Sequence, residues 1–507
     1  MATRKPIVFH PAVLAICPVL YLYSRNAGEV LVTDILPPAV VLLAGTILVL
    51  MIWRLLVKDW AKAGLLTSLL VLMAFAYAPV FWTVHAVCPP IHGFVIVRHR
   101  LVLALWGILC IGLSMTLIRT RRDLKTVTSF ANVLALMLVC ISAITLVGND
   151  WRAARAPHVR GAWADKVARY DNNKLVPRKP IRDIYLIILD DYSGADVLKK
   201  WFGYDNTAFL DHLRSKGFYV PAHAHSQRCT TYRSLASTLN LESVDTILGK
   251  NVADAASPQV FERMIEDNRV CRLLKRAGYQ IIFMPAGVGI VRSIRLADHT
   301  FMPGGIELSD FDKALIMNSF LCAFRASTTA RRRRVLYQLD RLAEIPRINQ
   351  PTFTFAHIPC PHDPYVFDKD GGYPQDSADS IHRTDPSPEE RETSKRLYIA
   401  QLQYLNKRIA HLVDTIIAES DVPPIIIIEA DHGMYVDATS KLRPGWGNDV
   451  RRTKNILSAF HFPDSDSRGL TESMRSINTF RALFNDYFGT DYRLLQDTTG
   501  QEDKDPK

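Results

Sequence analysis

The chain runs to 507 residues, 48% hydrophobic and 22% charged, and its 61 Lys and Arg against 50 Asp and Glu give a net charge of +11. That length is too great for one small core and implies two or more folded units. The positive balance does not point to nucleic acid. The basic residues form no long interleaved arm, and many flank apolar segments, where they set topology and meet anionic headgroups.

Five apolar stretches fill the first part of the chain: Ile7–Tyr23, Leu36–Val57, Ala63–Val84, Leu101–Ile118 and Val127–Val147. Crossing a hydrocarbon core takes about 20 helical residues. The first stretch is the weakest, because it carries His10, Pro11 and Pro18. A signal peptide competes for it, but no clear small-residue cleavage site is present and further spans follow. Arg4 and Lys5 precede the first stretch, Arg54, Lys58 and Lys62 mark the second turn, and Arg119, Arg121, Arg122 and Lys125 fill the fourth connection. The alternate connections hold only Arg25, Arg98 and Arg100. The positive-inside bias therefore predicts a cytoplasmic N-terminus and five crossings of the cell inner (cytoplasmic) membrane. Everything after Gly148 then lies in the periplasm or outside the cell.

These features predict a membrane domain over 1–148, an interfacial or linker segment over 149–178, an extracytoplasmic domain over 179–498 and a polar tail over 499–507. Trp151, Trp163 and Tyr170 beside Arg152, Arg155, Arg160 and Lys166 suit a helix at headgroup level, although Pro157 and Gly161 interrupt it. Eight cysteines form no CxxC pair. Cys17, Cys110 and Cys140 fall in apolar runs. Cys229, Cys271, Cys322 and Cys360 face an oxidising compartment under this topology, and spacing assigns no disulfide among them. The run Arg331 to Arg334 reads as a solvated helix start or a lipid-facing patch.

Beyond the linker, short apolar runs predict buried strands at Ile184–Leu189, Tyr279–Met284, Thr352–Ile358, Pro424–Ile428 and Ile456–Phe460. Helical patterns lie between them, at Asn206–Lys216, Val260–Ala277 and Glu392–Glu419. In the last, Leu397, Ile399, Leu402, Leu405, Ile409, Leu412, Val413 and Ile416 make one apolar face. The stretch from Asp368 to Arg391 reads as a surface loop. Strands alternating with helices predict an α/β sheet covered on both faces, preceded by an all-α membrane domain.

Three of these strands run into polar clusters. Ile184–Leu189 ends in Asp190-Asp191, Pro424–Ile428 leads through Glu429 and Ala430 into Asp431-His432-Gly433, and Thr352–Ile358 runs towards His362 and Asp363. In open α/β sheets, ligands bind beyond the carboxyl ends of the strands. Singly, each cluster is as well explained by a cap or turn residue. Together they predict a divalent-cation site in which Asp190 and Asp431 give hard oxygen ligands and His432 an imidazole nitrogen. Such a mixed set suits zinc or manganese better than calcium.

With these motifs in place, the sequence resembles the sulfatase and alkaline-phosphatase superfamily, and within it the bacterial membrane-bound sulfatase-like hydrolases. These are relatives of lipoteichoic-acid synthases and lipid A phosphoethanolamine transferases. The likeness spans Ile184 to about Asp497 and rests on five ordered motifs. They are Ile184-Tyr-Leu-Ile-Ile-Leu-Asp-Asp-Tyr192, Thr231-Tyr-Arg-Ser-Leu-Ala-Ser-Thr-Leu-Asn240, His362-Asp-Pro-Tyr-Val-Phe-Asp368, Asp431-His-Gly433 and Ile477-Asn-Thr-Phe-Arg481. The resemblance implies an alkaline-phosphatase-like fold in which one residue at a helix N-terminus is both nucleophile and metal ligand. Here that position matches Thr231, and the metal set becomes Asp190, Thr231, Asp431 and His432. A helix N-terminus favours a phosphate or sulfate group, and a metal on a hydroxyl lowers its pKa. A helix-capping Thr is the competing reading, and it applies equally to Thr230.

By the same resemblance, His362 binds phosphoryl oxygens or protonates the leaving group, and Arg233 holds the anion. Two departures stand out. True sulfatases carry Cys-x-Pro-x-Arg, where this chain reads Cys229-Thr-Thr-Tyr-Arg233, which argues against formylglycine. Asp191 stands where relatives often have Gly, and it fits either a further metal ligand or a solvent-facing side chain. The implied activity is metal-dependent transfer or hydrolysis of phosphoryl groups through a Thr nucleophile, decorating an envelope lipid or glycan with a phospholipid headgroup. The alternatives are a sulfatase or phosphodiesterase and, less favoured, a non-catalytic membrane binding protein. The implied partners are membrane lipids and an anionic phosphate or sulfate ester.

Overall fold

The computed structural model describes residues 7–26, 30, 32–87, 99–154, 174–256, 258–287, 291–304, 308–323, 327–374, 388–434, 454–465 and 469–495. The chain divides into two compact units. One is Met1–Pro157 with Leu308–Ala326, and the other is His158–Glu307 with Ser327–Lys507.

The first unit is helical: α1 (His10–Arg25), α2 (Val32–Val57), α3 (Trp60–Val87), α4 (His99–Arg119) and α5 (Lys125–Ala154). Four of them contain stretches long and apolar enough to cross a membrane, at Thr33–Val57, Trp60–Val84, His99–Arg119 and Lys125–Val147. Helix α1 has only 16 residues, about 24 Å at the α-helical rise and short of a hydrocarbon core of about 30 Å. The five expected helices are present, but four rather than five have spanning length. The polar residues that weaken α1 as a span instead tie it into the bundle. His10 is fully buried, and its Nδ1 lies 2.6 Å from Ser68 Oγ on α3. Asn132 on α5 accepts from the His10 backbone N–H at 3.0 Å and donates to the Ile7 carbonyl at 2.7 Å. In lipid, the free N–H groups of a helix start must find a protein partner.

A segment for which the sequence gives no signal belongs to this unit. It carries α11 (Asp310–Met317) and a 3-10 turn over Phe320–Ala323. Phe311 and Leu315 are buried among Val19, Leu22, Ile35, Leu42 and Phe75, and Cys322 and Ala323 pack with Tyr77, Phe81 and Trp106.

The second unit is built on a six-stranded sheet of order β3-β2-β4-β1-β5-β6. Its strands are β1 (Ile184–Leu189), β2 (Gln280–Met284), β3 (His299–Thr300), β4 (Thr352–Ile358), β5 (Ile425–Ala430) and β6 (Ser458–His461). All pairings are parallel except β5 with β6. Side chains alternate across the sheet. Ile184, Leu186 and Ile188 of β1 pack with α8 (Thr231–Asn240), α9 (Pro258–Glu266), α10 (Arg269–Arg276) and α14 (Thr479–Phe488). Tyr185, Ile187 and Leu189 pack with α7 (Thr207–Ser215), α12 (Ser327–Leu342) and α13 (Pro388–Glu419). The sheet is therefore covered on both faces, with the short α6 (Ala195–Phe202) following β1.

The helix expected over Val260–Ala277 is broken into α9 and α10. The buried Asn268 side chain accepts from Cys271 N–H at 2.8 Å, starting the second helix, and donates to Ile265 carbonyl at 2.7 Å, ending the first. The arginine run is not a solvated patch. Arg331 donates to Pro359 carbonyl, Arg332 to Val366 and Gly371 carbonyls, and Arg334 to Pro285 carbonyl. Only Arg333 of the four is exposed. No disulfide joins the described cysteines. Most of the expected interfacial segment, about half of the Asp368–Arg391 loop and the tail lie outside the described residues.

Candidate metal and nucleophile centre

Parallel register builds the site. Leu189 aligns with Ile358 of β4 on one side and with Ala430 of β5 on the other. The residues that follow these strands emerge side by side, so Asp190 and Asp431 meet although they are far apart in sequence. Strand alternation puts His357 of β4 on the same face as Phe353 and Phe355, which is the face that α8 covers. One ligand atom each from Asp190, His357 and Asp431 lie within 4.8 Å of one another.

The hydrogen bonding of this cluster is incomplete in a telling way. Asp190 Oδ1, Asp431 Oδ2 and both ring nitrogens of His357 are buried without a hydrogen-bond partner. Orphaned buried carboxylate and imidazole atoms are costly unless a cation completes them. This donor set therefore fits a divalent metal ion. His432 supplies a further nitrogen. Its Nδ1 lies 3.1 Å from Gly433 carbonyl and 3.3 Å from Asp191 Oδ1, both acceptors. The Nδ1 position thus carries a proton, and Nε2, open to a second proton or to a metal, is turned to Asp431 Oδ2 at 3.6 Å and Asp190 Oδ1 at 3.9 Å.

Charge balance tells the same story. Burial alone would lower the His432 imidazole, but Asp431, Asp191 and Asp190 around it push it up to about 10. Burial would raise the Asp190 carboxyl, and the neighbouring His362, His357, His432 and Arg331 side chains hold it below the usual carboxylate range instead. The centre thus attracts a cation, whether a proton or a metal. Asp191 is buried rather than solvent-facing. Its backbone φ is +70°, a region Gly adopts freely and Asp tolerates. Its carboxylate faces His432, and burial raises its pKa.

Helix α8 brings the hydroxyl. Thr231 is its first residue, and Thr231 Oγ1 lies 3.2 Å from His432 Nε2. Thr230 occupies the cap position but makes no side-chain cap bond, and its Oγ1 is buried without a partner. Arg233, two residues on, contacts other groups. It donates to Ala253 carbonyl at 3.1 Å, lies 3.8 Å from Asp254 and stacks on Phe261 at 5.1 Å. His362 is held by its backbone N–H on Asp190 carbonyl at 3.0 Å, and its Nδ1 lies 2.9 Å from Asp363 Oδ1. Burial lowers its pKa, but Asp190 and Asp363 outweigh this and push it up to about 10.

Two residues escape the sequence reading. A lone His in an apolar strand reads as core, and the only hint for His357 is a polar residue in a run otherwise buried on both faces. Arg331 sits in a charge run with no periodic signature, yet its charge bears on both Asp190 and His362.

A sulfatase family model matches residues 182–463, more than half of the chain. The chain belongs to the sulfatase family of enzymes. No curated protein matches it. Among solved structures it is similar to the zinc complex of the C-terminal periplasmic domain of EcEptC from Escherichia coli, at 16% identity and TM-score 0.42, covering 63% of this chain and 87% of that one. It is also similar to the integral membrane lipooligosaccharide phosphoethanolamine transferase A from Neisseria meningitidis, at 12% identity and TM-score 0.39, covering 94% and 95%. A 2-O glycosaminoglycan sulfatase, BT1596, matches at 13% identity and TM-score 0.38, covering 60% and 71%.

Proposed function

We propose that this chain is a membrane-anchored phosphoryl-group transferase or hydrolase that acts outside the cytoplasm through Thr231. One observation carries the reading: a helix-start hydroxyl stands 3.2 Å from an imidazole whose Nε2 points into a cluster of unpartnered metal-ligand atoms. Asp190, Asp431, His432 and Thr231 would hold the ion, with His357 as a further donor. Zinc or manganese suits this set, and when bound it would stabilise the hydroxyl as alkoxide and neutralise phosphoryl charge. Thr231 Oγ1 attacks phosphorus, while the free N–H groups of the first turn of α8 face the phosphoryl oxygens. His362, with Nδ1 committed to Asp363, is left with Nε2 to protonate the departing oxygen. The phosphothreonine then passes its group to water or to an acceptor alcohol.

The membrane unit favours a lipid-borne donor, such as a phospholipid whose headgroup is moved to an envelope lipid or glycan. The test is turnover by the full-length chain of a phospholipid carrying a labelled headgroup. Thr231→Ala abolishes turnover, Thr231→Ser keeps part of it, and His362→Ala lowers it by about 10²–10⁴-fold. An active Thr231→Ala enzyme alongside an inactive Cys229→Ala enzyme would replace this reading with formylglycine sulfatase chemistry.

A further inference from the structure

The segment 308–323 interrupts the catalytic half of the chain yet folds with the membrane helices. Its inward face is specific. Phe311 and Leu315, one turn apart, are 4% and 7% exposed among residues of α1, α2 and α3. Most partners of the segment lie towards one end of the bundle. Val19 and Leu22 fall near the end of α1, Ile35 near the start of α2, and Tyr77 and Phe81 towards the end of α3. Trp106 falls in the first half of α4. That end also carries Trp82, and aromatic side chains gather where hydrocarbon meets headgroups.

The outward side is apolar as well. Met317 is 47% exposed and Leu321 42%, where the outer face of a water-facing helix is ordinarily polar. Leu36 and Val40, on the first turns of α2 beside Ile35 and Ala39 that meet the insert, are exposed too. Several of the segment's polar side chains are satisfied within it. Ser309 and Asp312 form a capping box, Asn318 Nδ2 donates to Ala314 carbonyl at 2.8 Å, and Ser319 Oγ donates to Ile316 carbonyl at 2.8 Å. Local satisfaction of polar groups is what an element beside hydrocarbon requires.

We propose that segment 308–323 is a lipid-seated element: Phe311 and Leu315 lock it onto the end of the bundle, and Met317 and Leu321 enter the acyl border of the leaflet. It ties the catalytic half of the chain to the membrane at a second point, independently of what Thr231 does. The occupant is phospholipid, because the insert packs on residues of helices that are themselves long and apolar enough to cross a membrane.

The test uses the full-length chain in nanodiscs of phosphatidylethanolamine and phosphatidylglycerol. Peroxide oxidation of Met317 is compared by peptide mass spectrometry with that of Met302, which is 42% exposed in the other unit. Lipid seating predicts that Met302 oxidises at least about tenfold faster than Met317. A benzoylphenylalanine placed at Leu321 should form lipid adducts, with one at the exposed Leu109 of α4 as the expected positive control. Equal oxidation of the two methionines would overturn the proposal. So would a cross-link from position 321 to a second copy of the chain in place of lipid.

Discussion

At the scale of single residues, the site is defined by what its side chains lack. Asp190, His357 and Asp431 present buried atoms that no protein group satisfies, and each is therefore expected to hold metal. In the full-length protein, His357→Ala and Asp431→Asn should each lower zinc or manganese content well below one ion per chain by elemental analysis. Unchanged content in both would relocate the centre.

Glu429, on the opposite side of Ala430 from Asp431, has a different part. It is 1% exposed, and burial pushes its carboxyl up to about 7 against hydrogen bonds from Ser458 and Thr479. Because the folded value lies above the unfolded one, the native state is penalised as pH rises from about 4.5 through 7, and the penalty is complete above that. Glu429→Gln removes it. The variant's stability advantage should widen by roughly 2 kcal/mol between pH 5 and pH 8, read as a growing gain in apparent Tm. A constant difference across that range would contradict the assignment.

At the scale of elements, the strands that carry the ligands are the most legible part of the sequence. Parallel strands buried on both faces give continuous apolar runs, so Ile184–Leu189 and Thr352–Ile358 stand out with their ends correct. Asp190 and Asp431 follow from where such strands stop. Other features leave weaker traces. Strand β3 has two residues, too few for any period. The break between α9 and α10 falls inside a continuous helical pattern and depends on the side-chain bonds of Asn268. Asn268→Ala should lower the apparent Tm by an amount equivalent to about 1–2 kcal/mol, with an unchanged Tm as the contrary result. The insert 308–323 was illegible for a different reason. Its hydrophobic partners belong to helices at the other end of the chain, and sequence patterning reports only on neighbours. The arginines of α12 mislead similarly, since a guanidinium that binds a distant carbonyl looks the same in sequence as one in water.

At the scale of the whole molecule, flanking charge sets the expected sidedness. The positive-inside pattern predicts that the α1–α2 connection and the chain after α5 lie outside. A reporter active only outside the cytoplasm should therefore work when fused after Lys507, and activity from a cytoplasmic-only reporter would contradict this orientation. The central claim is that the anchored enzyme carries its phosphoryl group on Thr231. Peptide mass spectrometry of the full-length chain after exposure to native membranes tests it most directly. A phosphorus-containing headgroup adduct is expected on Thr231 and is lost in Thr231→Ala. An adduct confined to Thr230, or an oxidised Cys229 with Thr231 unmodified during turnover, would contradict it.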